Sequence, residues 1–227
     1  MKLPMLLNGP LQSRRGLLAA GFVGLSARAL IRERTEELTS IDLDGLIDRV
    51  RPLARHAVRT PGGDDTPYLL HTAALLARLE VPAADPASSE QPIRFETLVF
   101  HRPLLIYAIR MAPGARFDLH DHLDYSGVLR VVSGSVEAKH YEFVDHECRD
   151  DPEVELRETS HLRLGAGSVA ILGRRRDNLH DVTAGPDGAY LIDLFTHDHN
   201  RSRSREFRIK PEPDRPDGLI HRAIRID

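Results

Sequence analysis

The sequence GARFDLHDHLDYSGVLRVVSG, residues 114–134, places two histidines one residue apart between two glycines. Alternate side chains of an extended strand project from the same face, so His120 and His122 can bind one ion while Asp121 points away. Two imidazoles leave an ion mostly solvated, and a distant strand must therefore supply another ligand. His180, which ends the downstream pentapeptide RDNLH, is the candidate.

This donor set predicts a transition metal. Imidazole suits zinc, copper, iron and nickel, whereas calcium and magnesium sites are built from oxygen. A single histidine is usually a surface or packing residue, and the chain has 12. The pair within a glycine frame is what favours a metal site. Residue type alone does not choose among iron, nickel, manganese and zinc, because an all-histidine site discriminates weakly.

The glycine frame resembles a motif of the cupin superfamily. Gly114, five residues, His-x-His and finally Gly134 are similar to the first cupin motif, and residues 167–180 are similar to the second. Ser126 and Gly127 stand where cupins usually place a glutamate. The resemblance implies a mainly β fold, the cupin (double-stranded β-helix) barrel, with three histidine ligands and no anionic one.

A three-histidine cupin with the sequence HDH resembles the thiol dioxygenases, closest to the cysteamine dioxygenase and plant cysteine oxidase family. The similarity spans residues 93–210 and rests on LHDH at 119–122, VLRVVSG at 128–134, RDNLH at 176–180 and LIDLF at 191–195. The chain departs from that family in the loops at 123–125 and 197–199, which would line the pocket. The substrate is therefore less well defined than the reaction.

The resemblance implies an iron-dependent enzyme that adds both atoms of O2 to the sulfur of a small aminothiol or an N-terminal cysteine, giving a sulfinic acid. His120, His122 and His180 would bind Fe(II). Three neutral imidazoles leave up to three positions open, enough for a thiolate and dioxygen. No organic cofactor is implied.

Four further residues are predicted to serve this site. Asp193 lies in the apolar stretch YLIDLF, where an unpaired carboxylate is costly. The resemblance implies that it faces the active site and holds the substrate's amine or orients the bound thiol and oxygen; the alternative is a salt bridge to an arginine. Tyr125, Tyr107 and Arg110 are candidate substrate-binding residues. Arg110 would suit a carboxylate-bearing thiol, unless it is an outward-facing strand arginine.

Two other classes of function stay open. A cupin can bind a metal or a small ligand without catalysis, because the fold alone does not fix an activity. A cupin oxygenase or isomerase acting on a carbon substrate would show turnover without any thiol.

The beginning of the chain resembles a targeting signal. SRRGLL at residues 13–18 is similar to a twin-arginine signal, and an apolar run at 17–25 leads to a small-residue cleavage site at 27–29. The run is too short to span a bilayer. We therefore expect residues 1–29 to be a signal peptide and the mature protein to be periplasmic or secreted. The alternative is an amphipathic helix, which the glycines of this stretch disfavour.

Charge and cysteine content limit the possible partners. The formal net charge is −3, and removal of residues 1–29, which carry four basic residues and no acidic one, lowers it to about −7. This leaves no basic footprint for nucleic acid. The only cysteine, Cys148, allows no internal disulfide and is predicted to be an exposed loop thiol. We expect a monomer whose partners are a small thiol and O2, with no nucleic acid and, after signal removal, no membrane.

Periodicity divides the mature chain into a helical extension, residues 30–90, and a cupin domain with a C-terminal tail, residues 91–227. Two amphipathic helices are predicted within 39–79, the first capped by Ser40 and the second opened by Pro67, and we expect them to pack outside the barrel. A tight turn is predicted at 133–135. Strands are predicted at 93–100, 104–111, 117–122, 128–134, 135–143, 154–164, 168–172, 179–183 and 189–195. The tail from 210 is expected to wrap the barrel or to be mobile.

Overall fold

The computed structural model describes residues 40–59, 64–82, 84, 90–122, 125–174, 178–197, 204–211 and 218–226. The predicted signal peptide, residues 1–29, lies outside these ranges, as do parts of the two loops predicted to line the pocket. Export therefore stays a prediction. Within the described ranges, no helix is both long enough and apolar enough to cross a membrane.

Within the described residues, two helices precede the sheet, as predicted. Helix α1 spans Leu43–Arg59 and helix α2 spans Thr66–Leu76, with a proline in its first turn. The predicted cap of α1 is wrong: Asp42 accepts a hydrogen bond from the Gly45 amide through Oδ1 at 2.8 Å, while Ser40 bonds the Glu80 carboxylate. Ser40 lies too far before the first helical residue to reach the free amides of the first turn.

The described residues contain nine strands: β1 (Ile93–His101), β2 (Leu104–Met111), β3 (Arg116–Asp121), β4 (Tyr125–Phe143), β5 (Glu153–Gly165), β6 (Val169–Leu172), β7 (Leu179–His197), β8 (Phe207–Ile209) and β9 (Ile220–Arg225). They form one curled, antiparallel sheet in the order β1-β2-β7-β4-β5-β9-β8, with β3 paired to β7 and β6 paired to β4. The fold is therefore mainly β, as predicted.

Strands β4 and β7 are each 19 residues long and pair with each other on both sides of a bend. At the bend, residues 185–188 of β7 stand opposite Ser135 alone, because Gly134 pairs with Ala189 and Val136 with Ala184. The turn predicted at 133–135 is therefore wrong, and so is the division of each long strand into two. Gly134 adopts a φ of 70°, which bends the strand without ending its ladder.

The helices cover the outer face of the sheet, as predicted. Side chains of α1 and α2 share one hydrophobic cluster with Ile106 of β2, Val128 of β4 and Ile192 of β7. Arg130 of β4 adds a polar contact, since its Nη1 donates to the carbonyls of Leu76 at 2.9 Å and Leu79 at 2.5 Å. The other face of the sheet lines the inside of the half-barrel, where the histidines lie.

The C-terminal tail takes part in the sheet. Strand β9 pairs with β5 along Glu153–Arg157, and β8 pairs with β9. An isolated bridge between His120 and Glu206 connects β3 to the segment that leads into β8. The loop before β5 exposes Cys148, as predicted.

Candidate metal centre

Three histidines converge inside the half-barrel. His120 lies near the end of β3, His122 follows that strand, and His180 is the cross-strand partner of His120 on β7. The Nε2 atom of His180 lies 2.9 Å from Nε2 of His122 and 3.2 Å from Nε2 of His120. Nitrogens that share one ion through bonds of about 2.1 Å have a similar spacing. The three residues predicted from the sequence are therefore brought together, and they could hold a metal ion.

The protonation of these imidazoles suits a metal. Burial lowers the pKa of His120, and it lowers the pKa values of His122 and His180 much further, with additional repulsion from the neighbouring histidines. All three rings are therefore neutral at neutral pH, the form that binds a metal. The Nδ1 atom of His120 lies 2.7 Å from the carbonyl oxygen of Asp118 and donates to it, which leaves Nε2 free for an ion.

Hydrogen bonds fix the backbone around the ligands. The amide of His122 donates to Oδ1 of Asn178 at 2.6 Å. The same Asn178 donates through Nδ2 to the carbonyls of Gly173 at 3.2 Å and Arg174 at 3.1 Å. Asn178 belongs to RDNLH, the motif that ends in His180, and no role is evident for it from the sequence alone. Because it joins the histidine segment to the loop between β6 and β7, Asn178 supports the site from outside β3.

Another buried histidine was missed. His140 of β4 is the cross-strand partner of His180, and the two ring centroids lie 5.7 Å apart. It is not one of the three grouped ligands, but its nearby charge contributes to the lowered pKa values of His122 and His180. Its alternation with apolar neighbours on β4 was the signal that could have placed it inside the half-barrel.

Asp193 is a buried carboxylate with no cation beside it among the described residues. Its residue is 5% exposed, and Oδ1 has no hydrogen-bond partner among the described residues. Burial raises its pKa well above the ordinary value. No described arginine forms an ion pair with it, so the salt-bridge alternative finds no support within that part of the chain. Asp193 shares a face of β7 with Phe195, whose ring stacks on His122 at 5.2 Å.

Two of the three predicted substrate-binding residues lie near the histidines. The Tyr125 ring packs edge-on against His122 at 4.8 Å and against Phe195 at 5.3 Å. Burial and then the charge of Asp193 raise the pKa of Tyr125, which keeps its hydroxyl protonated at neutral pH. Tyr107 is the cross-strand partner of Asp193, and its ring lies 6.3 Å from Phe195.

Arg110, the third predicted substrate-binding residue, is not brought to the site. It lies an odd number of residues after Tyr107 on β2 and therefore projects from the opposite face. Its Nη2 atom lies 3.6 Å from the Glu96 carboxylate, and its guanidinium lies 5.6 Å above the ring of Tyr190. Arg110 is therefore an outward-facing strand arginine, which was the alternative to a role in substrate binding.

Aromatic rings lead from the surface to the histidines. The ring of Phe117 lies 6.3 Å from His120 and 5.5 Å from Phe95, which is 54% exposed. Phe95 also contacts Tyr107 at 5.7 Å. These three rings, called the aromatic cluster below, therefore give His120 an apolar neighbourhood.

The curled antiparallel sheet and the helices before it agree with the predicted mainly β architecture, and the three-histidine cluster inside it could bind a metal. No family model matches the chain, and no curated protein matches its sequence. Three solved structures illustrate what it is similar to.

The structure of KdgF from Halomonas sp. is 19% identical over 52% of this chain and 89% of its own, with a TM-score of 0.38. The cupin domain of Schizosaccharomyces pombe Cnp3 is 15% identical over 48% of this chain and 66% of its own, with a TM-score of 0.37. Oxalate oxidase in complex with the substrate analogue glycolate is 14% identical over 52% of this chain and 56% of its own, with a TM-score of 0.38. At such values these likenesses carry no argument about activity.

Proposed function

We propose that the protein is an iron-dependent thiol dioxygenase that converts a small aminothiol or an N-terminal cysteine to its sulfinic acid. His120, His122 and His180 would hold Fe(II), which supplies the activation of thiol and O2 when bound. The observation that carries the proposal is the ligand set: three neutral imidazoles converge, two of them buried, and no described carboxylate joins their cluster. Such a site leaves several positions of the ion open for thiolate and O2.

Asp193 favours a substrate with an amine. Its buried carboxylate lacks a cation among the described residues, and Arg110 projects from the other face of the sheet. A cationic amine would provide the missing partner and favour the ionised form of Asp193, whereas a substrate carboxylate would find no cation there. We therefore infer that cysteamine or an N-terminal cysteine fits better than 3-mercaptopropionate.

Tyr125 would act as a hydrogen-bond donor beside the ligands. Its hydroxyl stays protonated because burial and the charge of Asp193 both disfavour the phenolate. A donor next to His122 suits an oxygen atom that gains negative charge during the reaction. The aromatic cluster of Phe95, Tyr107 and Phe117 would exclude water from the bound thiol.

Export through residues 1–29 to the periplasm or the exterior belongs to the same proposal, as does action as a monomer on a small thiol and O2. These parts rest on the sequence alone.

O2 uptake tests the proposal. The protein is loaded with Fe(II) under anaerobic conditions and offered cysteamine, cysteine, 3-mercaptopropionate or a peptide with an N-terminal cysteine. We expect uptake with an amine-bearing thiol, an equal amount of sulfinate, and no uptake by His180→Ala. The matched control is His71→Ala, which changes an exposed histidine of α2 and should leave the rate unchanged.

The other function classes give different results. The absence of O2 uptake with all four thiols at full iron occupancy would favour a cupin that binds a metal or small ligand without catalysis. Turnover of a carbon substrate in the absence of any thiol would favour another oxygenase or an isomerase.

A further inference from the structure

The residue between the first two histidine ligands forms a buried ion pair. Asp121 is 2% exposed and Arg205 is 7% exposed. Oδ2 of Asp121 accepts from Nε of Arg205 at 2.8 Å and from Nη2 at 2.5 Å, while Oδ1 accepts from the Arg205 amide at 2.9 Å. Both carboxylate oxygens are therefore held by a single residue of the C-terminal segment.

The backbones of the two segments are joined at the same place. The amide of Asp121 donates to the carbonyl of Arg205 at 3.0 Å, and His120 forms the bridge with Glu206. The ligand-bearing end of β3 is thus fixed on one side by β7 and on the other by the segment leading into β8.

The remaining nitrogen of Arg205 is fixed as well. Its Nη1 donates to the carbonyl of Arg149 at 2.9 Å and to Oδ1 of Asp150 at 2.7 Å. The guanidinium lies 5.7 Å from the ring of Phe143 and 5.8 Å from that of Phe207. Every nitrogen of the guanidinium therefore has a partner, and the side chain has little freedom to leave Asp121.

We propose that Arg205 is a positioning residue for the metal site and acts through Asp121. Side chains alternate along a strand, so holding Asp121 on the outer side determines where His120 and His122 point on the inner side. Without this pair the end of β3 would keep only its backbone connections to the segment before β8, and the two imidazoles would spread over a wider range of positions. The inference rests on the proposed metal-binding role of the three histidines, but not on thiol oxidation.

Cobalt affinity provides a test that is independent of activity. Removing Arg205 alone would leave a buried, unpaired carboxylate and could prevent folding, so both partners are replaced in Asp121→Leu with Arg205→Met. We expect this double variant to fold and to bind Co(II) about 10- to 100-fold more weakly than the wild type, with a changed visible absorption spectrum. Arg208→Met, on the exposed side of β8, is the matched control and should keep the wild-type Kd.

The outcomes separate this inference from the proposed function. A folded double variant with the wild-type Kd and spectrum would overturn the positioning role. If the double variant does not fold, Arg205→Lys provides the test, because lysine keeps the positive charge but not the planar guanidinium. Weaker Co(II) binding by the folded Arg205→Lys protein supports the positioning role. Unchanged Co(II) binding overturns it. A wild type that binds no Co(II) would overturn both proposals. A wild type that binds metal but oxidises no thiol would overturn only the enzyme.

Discussion

At the scale of single residues, the site combines three neutral imidazoles with one carboxylate that is buried without a described cation. An ionised carboxylate in such a position costs the folded state free energy. Asp193 therefore lowers the stability of the folded protein. Its position beside Phe195 and Tyr107 indicates that the carboxylate serves to bind a cationic substrate.

Replacing Asp193 by asparagine should stabilise the metal-free protein at neutral pH. Burial raises the pKa of Asp193, so the folded state keeps a proton at pH values where the unfolded state has already lost it. Stability of the wild type therefore falls as the pH rises from about 3.8 through the raised pKa, by about 1.4 kcal/mol for each unit of elevation. Asparagine does not ionise, so the variant does not lose stability in this way. The difference in the free energy of unfolding between variant and wild type therefore grows as the pH rises through this range and is absent below it.

Thermal unfolding of the metal-free proteins between pH 4 and pH 8 measures the effect. Asp187→Asn, at an exposed position of the same strand, is the control and should follow the wild type at every pH. An Asp193→Asn variant that is less stable than the wild type at pH 8 would show that the carboxylate is paired. Loss of activity towards aminothiols should accompany the gain in stability.

The three histidines could be predicted from the sequence because the spacing of His120 and His122 is a property of any strand, and because RDNLH resembles a known motif. Arg205 could not be predicted. It lies in a segment rich in arginine and serine, where nothing in the sequence distinguishes the buried arginine from exposed ones. Which of the two alternatives holds for Arg110 could not be predicted, because a residue on a predicted strand can face either way until the register with its neighbours is known.

At the scale of the elements, β4 and β7 determine the shape of the half-barrel, because each continues through a bend that the sequence suggests is a turn. Glycine among small polar residues is typical of both features. The difference lies in the partner strand: Gly134 continues to pair with Ala189 across the bend. Gly134 and Ala189 are distant in sequence, so local sequence patterns do not reveal their pairing.

Gly134→Ala should be strongly destabilising. A Cβ at this position would lie 2.1 Å from the carbonyl oxygen of Gly188, and the φ of 70° is unfavourable for alanine. We expect a loss of more than about 4 kcal/mol in the free energy of unfolding, or no folded protein. Urea denaturation followed by circular dichroism measures it.

The matched control is Gly114→Ala. Gly114 has a φ of 68°, but a Cβ there would meet nothing within 4 Å. The free energy of unfolding of Gly114→Ala should fall by about 1–2 kcal/mol, which is the cost of the backbone conformation alone. Equal losses in the two variants would mean that the close approach of the strands at the bend does not matter to stability.

At the scale of the whole molecule, the helices and the sheet share one hydrophobic cluster. Their presence and approximate positions could be predicted from periodicity, and so could most strand positions. The pairing of β9 with β5 could not, because it joins the tail to a distant hairpin. The predicted division into an extension and a cupin domain at residue 90 stays a prediction.

Leu76→Ala tests whether helix and sheet unfold together. Leu76 of α2 is fully buried in the shared cluster, and we expect the variant to lose about 2–5 kcal/mol. Unfolding followed by far-ultraviolet circular dichroism and by tyrosine fluorescence should give one coincident transition at lower urea. Leu70→Ala, at a position of the same helix that is 43% exposed, should change stability by less than about 0.5 kcal/mol. Loss of the helical signal alone would instead make residues 30–90 a separate unit.

Strand β7 carries His180 before its bend and Asp193 after it. The ligand and the carboxylate therefore belong to one continuous backbone, with the irregular residues 185–188 between them. On the proposed chemistry, a substrate would bind the metal through its sulfur and Asp193 through its amine. Inserting or removing a residue within 185–188 should therefore alter the distance between these two groups, and with it the length of the aminothiol that fits.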